Sequence, residues 1–137
     1  MNLNENAGKT ENKHTNLTYL RNLTKNNTGM IREMIEVYIE ETPQLIHKMK
    51  EALFAKNWDA LRMAAHSIIP SFATMGIDSR YEANAKTIQE KAILLRDGKA
   101  ATGEKETVAE LNTLFTQVEM ICEKACTELQ QELPASK

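Results

Sequence analysis

The sequence contains few aromatic residues, glycines, prolines or cysteines. Phe, Trp and Tyr make up 5% of its 137 residues, which include five glycines, three prolines and two cysteines. Because strands favour aromatic residues and the turns between them favour glycine and proline, this scarcity argues against a sheet protein. Cys122 and Cys126 are one helical turn apart, a spacing that closes no useful loop, so we expect reduced thiols rather than a disulfide.

A large excess of one charge and a long hydrophobic run are also missing. The formal net charge is −2, whereas proteins that bind nucleic acids usually carry a clear basic excess. No segment approaches the roughly 18 consecutive apolar residues that a membrane-spanning helix needs, and residues 1–14 lack the apolar run of a secretory signal. We therefore expect a cytoplasmic protein that neither binds nucleic acid nor inserts into a membrane.

The sequence is instead rich in residues that favour helices, and its apolar residues recur at alternating spacings of three and four, which places them on one face of a helix. This pattern occurs in four segments. Their apolar stripes are Ile31, Ile35, Tyr38, Thr42, Leu45, Met49 and Ala52; Leu61, Ala65, Ile68, Phe72 and Met75; Tyr81, Ala85, Ile88, Ala92 and Leu95; and Val108, Leu111, Phe115, Val118, Cys122, Ala125 and Leu129. The four stripes predict an all-α, antiparallel, up-down four-helix bundle.

The length and the polar ends of the chain set the expected domain boundaries. A chain of 137 residues suits a single domain with one core. We expect the bundle to cover residues 15–132, with a short N-terminal lid helix around Asn16–Leu20. Residues 1–14 are expected to form a disordered tail, and residues 133–137 a second tail that follows the last helix.

Prolines, glycines and polar residues indicate where the helices begin and end. The first stripe crosses Pro43 without losing phase, which predicts one helix over about residues 30–55, kinked near the proline. Gly76 is predicted to stop the second helix, because glycine suits the left-handed conformation found after a helix end. Ser79 and Glu82 match a capping box that would open the third helix.

The spacing of the histidines does not match a metal site. Di-iron bundles use a glutamate three residues before a histidine. The residue at that distance is Met63 for His66 and Gln44 for His47. No Cys and His spacing resembles a zinc site, and no local pattern indicates a Ser or Cys nucleophile, so no metal site is predicted.

His66 is the histidine with the most informative surroundings. It lies about 100° around its helix from the core stripe and should project outward near the middle of that helix. It shares this face with Asp59, Arg62, Ile69 and Ala73. Ile69 and Pro70 form an apolar patch beside it that contact with solvent alone does not explain. An isolated surface histidine is inert in most proteins, so spacing alone leaves both an inert and a functional His66 open.

Residues 65–77 resemble the signature of histidine phosphotransfer (HPt) domains. In that signature the histidine is followed by an apolar residue, by glycine or in some branches proline, by serine and by glycine. Residues of these types follow His66 two, four, five and ten positions later, as Ile68, Pro70, Ser71 and Gly76. The sequence departs from the signature at Ile69, where the family has a lysine that helps to hold the phosphoryl charge.

The resemblance extends beyond this segment. It continues upstream in Tyr38–Pro43 and Asn57–Leu61 and covers roughly residues 17–92. It implies that His66 accepts a phosphoryl group and relays it between aspartates in the receiver domains of a bacterial hybrid histidine kinase and a response regulator. Such a module carries phosphoryl groups without independent catalytic turnover. It is expected to act as a monomer without a cofactor of its own, because the receiver supplies Mg²⁺.

The resemblance also implies roles for the neighbours of His66. The expected receiver docking patch is Ile69, Pro70 and Ala73. Arg62, one turn before His66, either replaces the charge of the missing lysine or is an ordinary solvated arginine. Gln89 either faces His66 and orients its second ring nitrogen or is simply exposed. The alternative function, suggested by Ile69, is a helical adaptor that docks receiver domains without being phosphorylated.

Overall fold

The computed structural model describes residues 13–136 and the side chains of residues 13–133, and these residues form five helices. The helices are α1 (Thr18–Leu23), α2 (Thr28–Ala55), α3 (Trp58–Thr74), α4 (Ser79–Arg96) and α5 (Glu104–Ser136). No strand occurs in the described range. Each long helix packs on the next and α5 packs on α2, which closes a four-helix bundle, while α1 contacts α3. The predicted fold class, including the short N-terminal helix, is confirmed.

Helix α2 is continuous through Pro43, as its uninterrupted stripe predicts. It begins slightly earlier than expected, at Thr28, and the Asn27 side chain caps it by accepting a hydrogen bond of 3.0 Å from the Met30 N–H. Asparagine at this position satisfies one of the amide groups that a helix start leaves without a partner.

The buried face of α2 departs from the predicted stripe after Thr42. Ile46 is buried there, whereas Leu45, which we predicted in the core, is only half-buried. Strictly alternating spacings of three and four average 3.5 residues, but an α-helix turns once in about 3.6 residues. A long stripe therefore drifts around the helix, and the next residue, Ile46, takes the core position in place of Leu45.

The predicted capping box at the start of α4 is wrong. Ser79 is the first helical residue, and Asp78 caps the helix by accepting a hydrogen bond of 2.8 Å from the Arg80 N–H. Glu82 does not reach back to the helix start but lies 3.1 Å from the ammonium group of Lys86. Asp and Ser are about equally good caps, so the choice between these adjacent residues depends on where the preceding loop places the first turn.

The N-terminal segment attaches to α5 through the carboxylates of Glu128 and Glu132. The His14 N–H donates to both oxygens of Glu128, at 2.9 and 2.7 Å, and the N–H and hydroxyl of Thr15 donate at 3.0 and 2.9 Å. Lys13 pairs with Glu132 at 3.5 Å. Residues 13 and 14, the last two of the predicted tail at residues 1–14, therefore contact α5. The first 12 residues of that tail lie outside the described part of the chain.

The predicted C-terminal boundary at residue 132 is also wrong, because α5 continues to Ser136. The predicted boundary rests on Pro134, because proline often ends a helix. A proline removes its own amide hydrogen bond without forbidding the helix, and Pro43 and Pro70 also lie inside helices here. No helix in the described part of the chain is long and apolar enough to span a membrane.

Gly76 follows the end of α3 with a φ of +66°. Its N–H donates to the Ala73 carbonyl at 3.1 Å, and the Ile77 N–H donates to the Phe72 carbonyl at 2.9 Å. These two bonds form a Schellman motif, which satisfies carbonyl groups at the helix end. A Cβ atom at Gly76 would overlap the carbonyl group of Asn16, so the N-terminal segment packs directly against this turn.

Candidate functional site

His66 lies on the exposed side of α3. The opposite face of the same helix is fixed in the core, where Leu61, Ile68 and Phe72 have no exposed surface. His66 precedes Pro70 by one helical turn, and both side chains face solvent. The helix therefore presents the imidazole on a rigid support that a partner protein is free to approach.

Gln89 of α4 contacts His66. Its amide nitrogen Nε2 lies 3.5 Å from Nδ1 of the imidazole, in the exposed seam between α3 and α4. The same register brings Asp59 and Arg96 to within 3.1 Å of each other two turns farther along the seam. The contact engages Nδ1, and Nε2 takes no part in it.

Arg62 bonds to Asp59, which lies one turn before it on α3. Its Nε donates to Oδ1 of Asp59 at 3.1 Å, and the same oxygen accepts a second bond of 3.1 Å from Nη1 of Arg96. These two guanidinium groups hold the pKa of the Asp59 carboxyl below its usual range, with Arg62 the larger contributor. Arg96 also donates to Asp97 at 3.0 Å. We call Asp59, Arg62, Arg96 and Asp97 the Asp59 cluster.

The proposed docking patch combines packed and exposed residues. Ile69 is half-buried and packs against the core, whereas Pro70 and Ala73 are exposed. Pro70 also borders a mainly apolar groove of about 360 Å³ between α2 and α3, which includes the exposed Val37. The core stripes do not predict this groove, although Met34 and Val37 are apolar residues beside the core stripe of α2.

Other potentially reactive side chains are placed differently. Burial raises the pKa of the Cys122 thiol to about 12 and that of the half-buried Cys126 to about 11, so neither is a good nucleophile at neutral pH. His47 pairs with Glu51 of the same helix at 3.2 Å. Within residues 13–133, no group of three or more His, Cys, Asp and Glu side chains is arranged to hold a metal ion.

Comparison with known proteins identifies the family. The model of the Hpt domain family matches residues 33–136, a range that holds most of α2, all of α3–α5 and both His66 and Gln89. No curated protein and no solved structure matches the chain. The family match covers well over half of the sequence and agrees with the helical fold, so the chain belongs to the Hpt domain family, whose members are phosphocarrier modules of two-component signalling.

Proposed function

We propose that His66 is the phosphoacceptor and that the module relays a phosphoryl group between aspartates of two receiver domains, one of a hybrid histidine kinase and one of a response regulator. The observation that carries this proposal is an exposed imidazole on a rigid helix, with its Nδ1 in contact with Gln89. The family match supports it, because Hpt domains act in phosphotransfer with receiver domains and kinases.

The chemistry requires little from the bundle besides position. Nε2 of neutral His66 attacks the phosphorus of an aspartyl phosphate, the new N–P bond forms, and the P–O bond breaks to release the aspartate carboxylate. The proton on Nδ1 stays on the ring, and the reverse steps deliver the phosphoryl group to the next receiver. Each receiver supplies its aspartate and Mg²⁺, and the bundle, acting as a monomer without a cofactor of its own, holds the imidazole for in-line attack.

An amide next to Nδ1 fits this role. When the Gln89 amide turns by 180°, its oxygen accepts the Nδ1 proton, which keeps the lone pair on Nε2. The cationic ring of phosphohistidine keeps the same proton and the same acceptor. Gln89 thus orients the imidazole before and after transfer.

The receiver docks on the exposed surface around His66. Ile69, Pro70 and Ala73 supply its apolar centre, and the groove that reaches Val37 extends this surface onto α2. Pro70 is compact and uncharged, so a receiver can approach the imidazole closely.

A second candidate function is a receiver-binding adaptor that is not phosphorylated. Ile69 stands where the family has a lysine, and Arg62, the nearby cation on α3, is bonded to Asp59. A site with little positive charge favours docking over storage of a phosphoryl dianion.

Phosphorylation of the H66Q variant separates the two functions. Incubation with a phosphorylated receiver should label the wild-type protein with acid-labile phosphate, and H66Q should not be labelled. His47, also exposed, is the matched control, and H47Q should be labelled like wild type. The stability of H66Q should stay within about 0.5 kcal/mol of wild type, because exposed substitutions are usually this mild. A receiver that binds wild type without labelling it would establish the adaptor instead.

A further inference from the structure

The Asp59 cluster holds a cation one turn away from His66. Arg62 follows Asp59 by three residues on α3, and its guanidinium bonds to that carboxylate at 3.1 Å. Side chains on a helix lean toward its N-terminus, so Arg62 tends to extend toward Asp59 and away from His66. Helix geometry and the ion pair therefore both withdraw this charge from the imidazole.

Asp59 pairs with a second arginine besides Arg62. The same carboxylate oxygen accepts from Arg96 of α4 at 3.1 Å. When Arg62 leaves, Asp59 therefore keeps an ionic partner, and Arg96 keeps both Asp59 and Asp97. The release of Arg62 breaks one exposed ion pair and leaves no buried charge unpaired. It therefore costs little free energy.

We propose that Asp59 is a positioning residue that sets the lifetime of phosphorylated His66 by competing with the phosphoryl group for Arg62. This inference rests on the proposed function of His66. The phosphoryl group is a dianion and Asp59 is a monoanion, so phosphorylation shifts Arg62 toward His66. The remaining attraction of Asp59 keeps this shift incomplete.

The lifetime depends on Arg62 through hydrolysis of the N–P bond. The oxygen of a water molecule bonds to phosphorus, the N–P bond breaks, its electron pair returns to Nε2, and both water protons stay on the released phosphate. In a loose, metaphosphate-like transition state the phosphoryl oxygens carry less charge than in the dianion. A nearby guanidinium therefore stabilises phosphohistidine more than the transition state and slows its hydrolysis.

The test uses the full chain and inorganic phosphoramidate, which phosphorylates histidine without a receiver and releases ammonia. Decay of phosphohistidine is followed by ³¹P NMR in wild type, D59N, R62Q and the double variant D59N/R62Q. D59N should lengthen the half-life by about two- to fivefold, the range of an exposed ion pair. R62Q should shorten it, and D59N should have little effect in the R62Q background.

Asp97 provides the matched control. It is an exposed carboxylate on the other side of Arg96 and does not bond to Arg62. D97N removes the same charge without releasing Arg62, so its half-life should equal that of wild type, and D59E should restore the wild-type value. A merely structural effect of D59N would not lower the second pKa of the phosphoryl group, whereas release of Arg62 would, and the ³¹P shift measures this pKa directly.

The outcomes are distinguishable. Equal half-lives for wild type and D59N, or a lengthening by D59N that persists in the R62Q background, would overturn the role of Asp59 while leaving His66 as the phosphoacceptor. A wild-type protein that gains no acid-labile phosphate on His66 would overturn the proposed function, and this inference with it. Thermal melts show that each variant is folded.

Discussion

The reactivity of His66 depends on which ring nitrogen holds its proton. A free imidazole exchanges between two neutral tautomers, and only the tautomer with the proton on Nδ1 offers the lone pair of Nε2. In the proposed mechanism the Gln89 amide, 3.5 Å from Nδ1, selects this tautomer by turning its oxygen toward the Nδ1 proton. At the scale of single residues, the proposed site therefore consists of a nucleophile and its orienting partner on neighbouring helices.

Replacement of Gln89 by alanine should slow phosphotransfer to His66. The loss of one hydrogen bond, worth about 0.5–1.5 kcal/mol, predicts a decrease of roughly two- to tenfold in the transfer rate from a phosphorylated receiver. Q117A is the matched control, because Gln117 bonds to Asn84 at 2.8 Å between α4 and α5 and does not contact His66. Equal transfer rates for Q89A and wild type would show that Gln89 does not orient the ring.

The sequence predicts the two residues of the proposed site better than it predicts the ion pair of Arg62. His66 stands out in the sequence because its motif is local. Gln89 is suggested only by the resemblance to HPt domains, which implies such a residue after a core position of the next helix. The partner of Arg62 is harder to predict, because Asp59 and His66 are both about one turn away. Helix direction and the arrival of Arg96 from α4 decide between them, and the second of these is a tertiary contact that spacing does not encode.

At the scale of elements, the end of α3, the helix that carries His66, packs against the N-terminal segment. The Asn16 N–H donates to the Met75 carbonyl at 2.9 Å, and Leu17 and Leu20 are buried beside it. The segment therefore covers the end of α3 beyond the proposed docking patch. Two properties of Gly76 permit this arrangement. Glycine adopts a positive φ readily, and its missing Cβ leaves space for Asn16.

Substitution of Gly76 and Gly98 by alanine separates these two contributions. Gly98 has a φ of +69° and open space around its Cβ position, so G98A should cost about 1 kcal/mol through backbone strain alone. G76A adds the overlap with Asn16 and should cost about 3 kcal/mol or more. Urea unfolding measures both values. Equal costs would show that the N-terminal segment moves aside without penalty.

The helices themselves are predictable because each carries a long periodic stripe, and their ends are less so. Asp78 replaces Ser79 as the cap of α4, and Ile46 replaces Leu45 in the core, each a displacement of one residue. The first shift arises because two adjacent residues can both cap the helix, and the second because the stripe drifts around the helix. Contacts with the neighbouring structure decide which residue takes each position. The groove beside Pro70 forms only where α2 packs against α3, so the sequence of either helix alone does not predict it.

At the scale of the whole molecule, the core that supports His66 contains ionisable groups that must stay protonated. Cys122 of α5 is buried, and burial raises the pKa of its thiol from 9.0 to about 12. Tyr38 of α2 lies close to this thiol, and burial likewise raises the pKa of its hydroxyl above the usual value. Both groups are neutral in the folded protein at neutral pH, because burial disfavours their charged forms.

The stability of the bundle should therefore fall in alkaline solution. Because the folded pKa of Cys122 exceeds the unfolded value, its contribution is complete below pH 9.0 and is lost as the pH rises toward about 12. Over this range each such group lowers the free energy of unfolding by about 1.4 kcal/mol per pH unit. Urea unfolding between pH 7 and 10.5 should show a plateau followed by this decline.

The C122A variant identifies the source of the decline. It removes the thiol and leaves a small cavity, so its stability at pH 7 should be lower by about 1 kcal/mol. Above pH 9 its stability should fall less steeply than that of wild type, because only the unfolded thiol of wild type ionises there. The comparison of slopes cancels the cavity cost, which does not depend on pH. Parallel curves for the two proteins would mean that Cys122 ionises as readily in the folded bundle as in the unfolded chain.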